Sequence, residues 1–243
     1  MRAVLEITRR ELVATFDSAV AYVLIAGFGV LGNALFVNEF FVAARLELDA
    51  WFDVLPLLLA VFVPALAMAS WAQERKARTV EFLLTLPVRT GAAVFGKYLA
   101  ALVLLGVLLA TGLPLVAMLA ALGEPDFARI ATGFVGAFGA GAVLLAVGTF
   151  CSALTRDQVV AFVAATVLAL FLVLSGREEV VGVLDGLAPS LAVGSFLYER
   201  VSLLPHLERA TAGSLGLDGF LYVLLASALL LMATARRLDA DRS

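Results

Sequence analysis

Apolar residues in this chain gather in long runs, without the strict alternation of strands or the narrow stripe of a water-soluble helix. A helix that crosses a bilayer needs about 20 mostly apolar residues. The runs at 18–38, 54–72, 97–122, 130–154 and 217–235 meet that length. A sixth, 158–176, follows the fourth after "ALTRD", a short charged hinge that makes a tight hairpin the economical reading. The stretch 186–205 is apolar too, but Pro189, Gly194, Glu199, Arg200 and Pro205 interrupt it. It is read as short helices dipping into the outer leaflet, within an extracytoplasmic segment at 177–216. Residues 1–16 place Leu5, Leu12, Val13 and Phe16 on one helical face, with Arg2, Glu6, Arg9 and Arg10 largely elsewhere. That pattern suits a helix lying in the membrane interface; a plain lead-in to the first span is the alternative.

Composition points the same way. The chain is 63% hydrophobic and only 15% charged, against about a quarter charged in soluble domains. The expected fold is all-α and integral to the membrane, one transmembrane domain over 1–243. Lys and Arg set its orientation. With both termini cytoplasmic, the inner side holds Arg2, Arg9, Arg10, Arg75, Lys76, Arg78, Arg89, Lys97, Arg156, Arg236, Arg237 and Arg242. The outer side holds Arg45, Arg129, Arg177, Arg200 and Arg209. A net charge of −3 gives no footprint for nucleic acid. The single Cys151 has no partner for an internal disulfide, and the N-terminus lacks the apolar core of a cleaved signal.

Candidate chemistry is sparse. "RTGAAVFGKY" places Gly91, Gly96 and Lys97 in the G-x-x-x-x-G-K spacing of a phosphate-cradling loop. Tyr98 stands where that motif needs a metal-holding hydroxyl, and the stretch runs straight into a membrane span. The spacing is read as coincidence, with Lys97 at the membrane boundary and its amine among the headgroups. Asp17, Glu39 and Asp53 sit at span ends, leaving Asn33, Thr111, Thr149 and Thr166 as the polar groups within spans. An ion-coupled pathway needs more than these. His206, the only histidine, has no companion ligands for a metal. Gly133, Ala137 and Gly141 recur every four residues in the fourth span, which allows close helix packing inside the subunit or at a dimer seam. Pro56, Pro64 and Pro114 are candidate kinks.

The loop 73–96, "QERKARTVEFLLTLPVRTGAAVFG", is the most informative stretch. It is charged, then amphipathic, then stopped by Pro87, which suggests a short cytoplasmic helix at about 75–88. Periodicity alone leaves an ordinary positively charged loop equally open. The loop resembles the signature of ABC-2 type permeases, E-R-x-x-G-T-x-E-x-L-L-x-x-P followed by Gly-Lys at the next span. Glu74, Arg75, Thr79, Glu81, Leu83, Leu84, Pro87, Gly96 and Lys97 match in place, and Arg78 replaces the glycine before Thr. The tail, a short outer segment followed by "LGLDGFLYVLL", is similar to the branch found in gliding-motility and nitrous-oxide-reductase-maturation permeases.

The resemblance implies six transmembrane helices, an N-terminal interfacial helix, a cytoplasmic coupling helix and short outer helices before the last span. It implies a permease subunit, an exporter in the cytoplasmic (inner) membrane, that pairs with a second copy or a related permease and with separate ATPases. ATP and Mg would then belong to the partner, and no catalytic, cofactor or metal residue to this chain. Membrane lipids are the other expected partners. The expected ATPase-coupling residues are Glu74, Arg75, Thr79, Glu81, Leu84, Pro87, Arg156 and Asp157. The rival reading is a membrane scaffold or signal-transmitting subunit that moves no solute.

Overall fold

The computed structural model describes residues 2–43, 47–77, 89–187 and 191–240, and every regular element among them is a helix. Two helices open the chain, α1 (Arg2–Phe16) and α2 (Ala19–Ala43). A broken span follows, α3 (Asp49–Ala67) with α4 (Ala69–Lys76), and then another, α5 (Thr90–Ala110) with α6 (Leu113–Leu122). Next come α7 (Phe127–Leu154) and α8 (Gln158–Leu174). The short helices α9 (Glu178–Leu187), α10 (Val193–Arg200) and α11 (Leu204–Thr211) lead to the last, α12 (Leu217–Ala240).

Five stretches are long and apolar enough to cross a membrane: Ala19–Asn38, Asp49–Lys76, Thr90–Leu122, Phe127–Leu154 and Leu217–Ala240. At 17 residues, α8 sits at the short limit of a spanning helix, so the count is five to six. The chain turns by 84° between α8 and α9, so α9 does not prolong the span. The interrupted stretch at 186–205 forms no single helix among its described residues; Pro189 lies outside them.

Long helices fix each other through small residues and local caps. The most apolar stretch of α7 is 61% buried, that of α12 only 11%, which puts α7 at the centre and α12 at the edge. A Cβ at Gly141 would lie 2.7 Å from Leu105 of α5, and one at Gly148 2.5 Å from Ala67 of α3. Ala137 is fully buried on the same helix. The small residues of α7 therefore serve packing within the subunit. Around them Leu55, Leu59 and Val63 of α3, Leu105 and Leu108 of α5, and Leu144 and Leu145 of α7 form the core. Trp51, Phe52 and Phe134 extend it, with ring centroids 5.2–5.8 Å apart. Asp126 caps α7 by accepting from the Arg129 amide at 3.0 Å.

The prolines divide in their effect. Pro56 and Pro64 sit inside α3, which ends just after the second. Pro114 instead begins α6, after the helix has already broken at Thr111 and Gly112. Asn33 donates to the Thr111 carbonyl at 3.0 Å across that break, which gives this intramembrane amide a packing role.

Candidate coupling site at one end of the bundle

The site begins at the break between α3 and α4. A helix start leaves amide N–H groups without intrahelical partners, and no local side chain caps α4. Ser152 of α7 does so from outside. Its hydroxyl accepts from the Trp71 and Ala72 amides at 3.0 Å each and donates to the Met68 carbonyl at 2.8 Å. Ser152, Trp71 and Ala72 are all fully buried. Farther along α4, Arg75 donates to the Ala153 carbonyl in the last turn of α7, where a cation complements the helix dipole. Two contacts from α7 thus hold both ends of a helix of eight residues.

α1 meets the start of α5 just beside this. A Cβ at Gly96 would lie 2.9 Å from Ile7 and 3.1 Å from the Val4 carbonyl, so only glycine lets the helices approach this closely. Thr8 seals the contact by bonding the Gly96 carbonyl at 2.9 Å. The next residue, Lys97, points into the gap between α1 and α4. Its Nζ lies 2.8 Å from Glu11 Oε1 and 2.9 Å from Glu74 Oε1, and 5.2 Å from the centroid of the Trp71 ring. The lysine side chain is 4% exposed, the two carboxylates 27% and 19%. One ammonium therefore joins three helices. At the rim of this region Thr90 donates to Asp239 at 2.5 Å, bringing the end of α12 to the start of α5. A small apolar cluster of Trp71, Ala93, Val94, Ala153 and Leu238 underlies it.

This placement corrects the reading of Lys97 as a headgroup anchor. The ammonium is inside the protein because two carboxylates from other helices stabilise it there. It also disposes of the phosphate-loop spacing: Gly91, Gly96 and Lys97 all lie within α5, and the lysine is engaged by Glu11 and Glu74. The face of α1 that meets α5 is Val4, Ile7, Thr8 and Glu11, whereas Leu5 (64% exposed) and Val13 (55%) turn outward.

Of the coupling residues expected from sequence, Glu74 and Arg75 belong to this cluster. Asp157 caps α8, its Oδ1 accepting from the Val159 and Val160 amides at 2.7 and 3.3 Å, and exposed Arg156 lies beside it. Thr79, Glu81, Leu84 and Pro87 lie outside the described residues, as does most of the expected helix at 75–88. Sequence reasoning missed Glu11, Trp71 and Ser152. The available signals were slight: a second glutamate on a helix that also carries Glu6 and three arginines, and a serine within an apolar run.

At the opposite end His206 has close company. Its ring stacks on Tyr222 at 4.5 Å, and its Nδ1 accepts from Arg209 at 2.9 Å. Burial, with Arg209 adding to it, holds the imidazole pKa below its ordinary value. Among the described residues no three His, Cys, Asp or Glu side chains are grouped to hold a metal.

A helical bundle with five to six stretches able to span a membrane and a buried ionic junction at one end has the build of a multi-pass membrane protein. Residues 6–208 match the family described as ABC-2 family transporter protein, and the chain belongs to that family. Membrane domains of this family work with ABC ATPase subunits and are generally not enzymes themselves. No curated protein matches the chain.

Proposed function

We propose that this chain is the permease subunit of an exporter, in which hydrolysis by a separate ATPase drives substrate movement or force transmission across the cytoplasmic membrane. A second copy or a related permease completes the path. The Lys97 junction carries this reading. The stretch that resembles the permease signature begins inside α4 at Glu74 and Arg75 and continues in sequence beyond it, and Lys97 ties α4 to α1 and α5. A push on that stretch is then shared at once by three helices and, through Ser152 and Arg75, by the central α7. Glu74 and Arg75 act in this scheme as positioning residues that fix the contact helix. Thr79, Glu81, Leu84, Pro87, Arg156 and Asp157 are the groups offered to the ATPase.

Orientation follows the Lys and Arg distribution, with both termini and the junction on the cytoplasmic side. The outward-facing Leu5 and Val13 support α1 lying in the interface there. ATP and Mg are bound by the partner.

The test is Glu74→Lys combined with Glu81→Ala in the full complex. Insertion in the membrane should be unchanged while ATP hydrolysis loses its coupling to transport or signalling output. Assembly at unaltered affinity with full output would sink the assignment of this loop.

A further inference from the structure

The edge helix α12 leaves a groove of about 520 Å³ beside α5 and α7, within the 300–1,000 Å³ usual for ligand sites. Its bed is apolar, with Phe95, Leu102, Val135, Phe138, Phe220 and Leu224 among the lining side chains. Tyr98 reaches it, but its hydroxyl already donates to the Ala142 carbonyl at 2.9 Å. Ser227 lies next to Tyr98 without a well-formed hydrogen bond, and one hydroxyl does not make the bed polar. From Asp218 at the mouth to Leu231 at depth α12 rises about 20 Å, enough to take a chain through one leaflet of a ~30 Å hydrocarbon core.

The mouth is polar and carries one charge of each sign. Arg209 and Asp218 form an ion pair there, 48% and 54% exposed. Arg209 is an always-charged fork of five N–H donors. Nε donates to the Pro205 carbonyl at 3.1 Å, one Nη to Asp218 and the other to His206. Two donors remain for an incoming oxyanion, and Arg favours phosphate in that role. Asp218, an acceptor alone, suits an ammonium. His206 is neutral when it accepts from Arg209, so the mouth carries no net charge from these three groups. A purely anionic headgroup would meet Arg209 only beside the Asp218 carboxylate.

From this charge pairing above an apolar bed we propose that the groove is a binding site for one phospholipid of the ethanolamine class, phosphate at Arg209, ammonium at Asp218, and an acyl chain along α12. The full chain would be reconstituted in nanodiscs of equal phosphatidylethanolamine and phosphatidylglycerol, released into mild detergent and examined by native mass spectrometry. The ethanolamine lipid should be retained in preference. Arg209→Gln should reduce its retention roughly tenfold, the scale of a lost charge-assisted hydrogen bond. Val135→Trp, which fills the groove from a side chain 56% exposed, should do the same without touching the headgroup site. Equal retention of the two lipids, or retention unaffected by either variant, would reduce the groove to bulk lipid contact. Efficient Val135→Cys cross-linking between two copies would make it a subunit interface and overturn the proposal as well.

Discussion

At the end formed by α1, α4 and the start of α5, Lys97 is shared by Glu11 and Glu74 and is almost wholly buried. Ion pairs at the other end include Arg129–Asp49, at 2.8 Å and 37% and 42% exposed, and Arg209–Asp218, about half exposed. The residue types are the same, and the surroundings make them different interactions. Water screens an exposed pair to ~0–1 kcal/mol. A buried cation cannot lose its partners without leaving charge in the protein, at ~3–5 kcal/mol. One end is therefore locked across three helices, while short helices and surface pairs build the other. In the function proposed above, the stiff end is the one that would receive a push from the ATPase and pass it on.

The sharpest way to break this contrast is Glu11→Leu with Glu74→Met, which leaves the buried Lys97 ammonium without either carboxylate. It should lower stability by ~3–5 kcal/mol in denaturant unfolding of the solubilised chain. Removing all three charges together (Lys97→Met, Glu11→Leu and Glu74→Met) should recover much of the loss, because no unpaired charge then stays buried. A loss below ~1 kcal/mol for the variant lacking both carboxylates would erase the difference between the ends.

Ser152→Ala comes next. It leaves two buried amides and one carbonyl short of a partner, at ~1–3 kcal/mol. Hydrogen exchange should rise at Trp71 and Ala72 and stay unchanged in α10; unchanged exchange at Trp71 would show that the cap from α7 does not hold α4. The smallest effect belongs to the opposite end, where Arg129→Ala should cost ~1 kcal/mol or less, and less still in high salt.

His206 sharpens the picture of that end through pH. Its pKa is held below the unfolded value of about 6.5, so its contribution is complete above that pH and is lost as pH falls below it. Glu208 opposes this: burial raises its pKa, and acidification favours the folded state through it. His206→Gln isolates the first term, since Glu208 is common to both chains. Between about pH 7.5 and 5.5 the unaltered protein should lose more stability than His206→Gln. Parallel loss in the two would remove the histidine from the account.

The spans were legible because apolar runs of about 20 residues have few other uses, and the break-up of 177–216 was legible from its prolines and charges. Boundaries were less so: α2 runs on to Ala43, well past 38, since nothing at Asn38 obliges a helix to stop. The family was visible in the loop, yet the clamp beside it was not. Lys97 carries no local mark of burial, and Glu11 is 86 residues away. The stripe on α1 that binds α5 mixes Val4 and Ile7 with Thr8 and Glu11, so a search for an apolar face selects Leu5 and Val13 instead. Ser152 looks like an incidental polar residue until α7 is laid against the start of α4. In each case the partner is supplied by tertiary packing, which a single sequence does not display.

Lys97 ties α4 to α1 and α5, and in the proposed function that tie carries the ATPase's push into the rest of the membrane domain. Coupled ATP hydrolysis in the reconstituted complex tests it most directly, for Lys97→Glu alone and for Lys97→Glu with Glu11→Lys. The single variant should keep its ATPase bound but lose coupling, and the exchanged pair should regain much of it. Full coupling in the single variant, with the chain folded and the ATPase bound, would contradict the account.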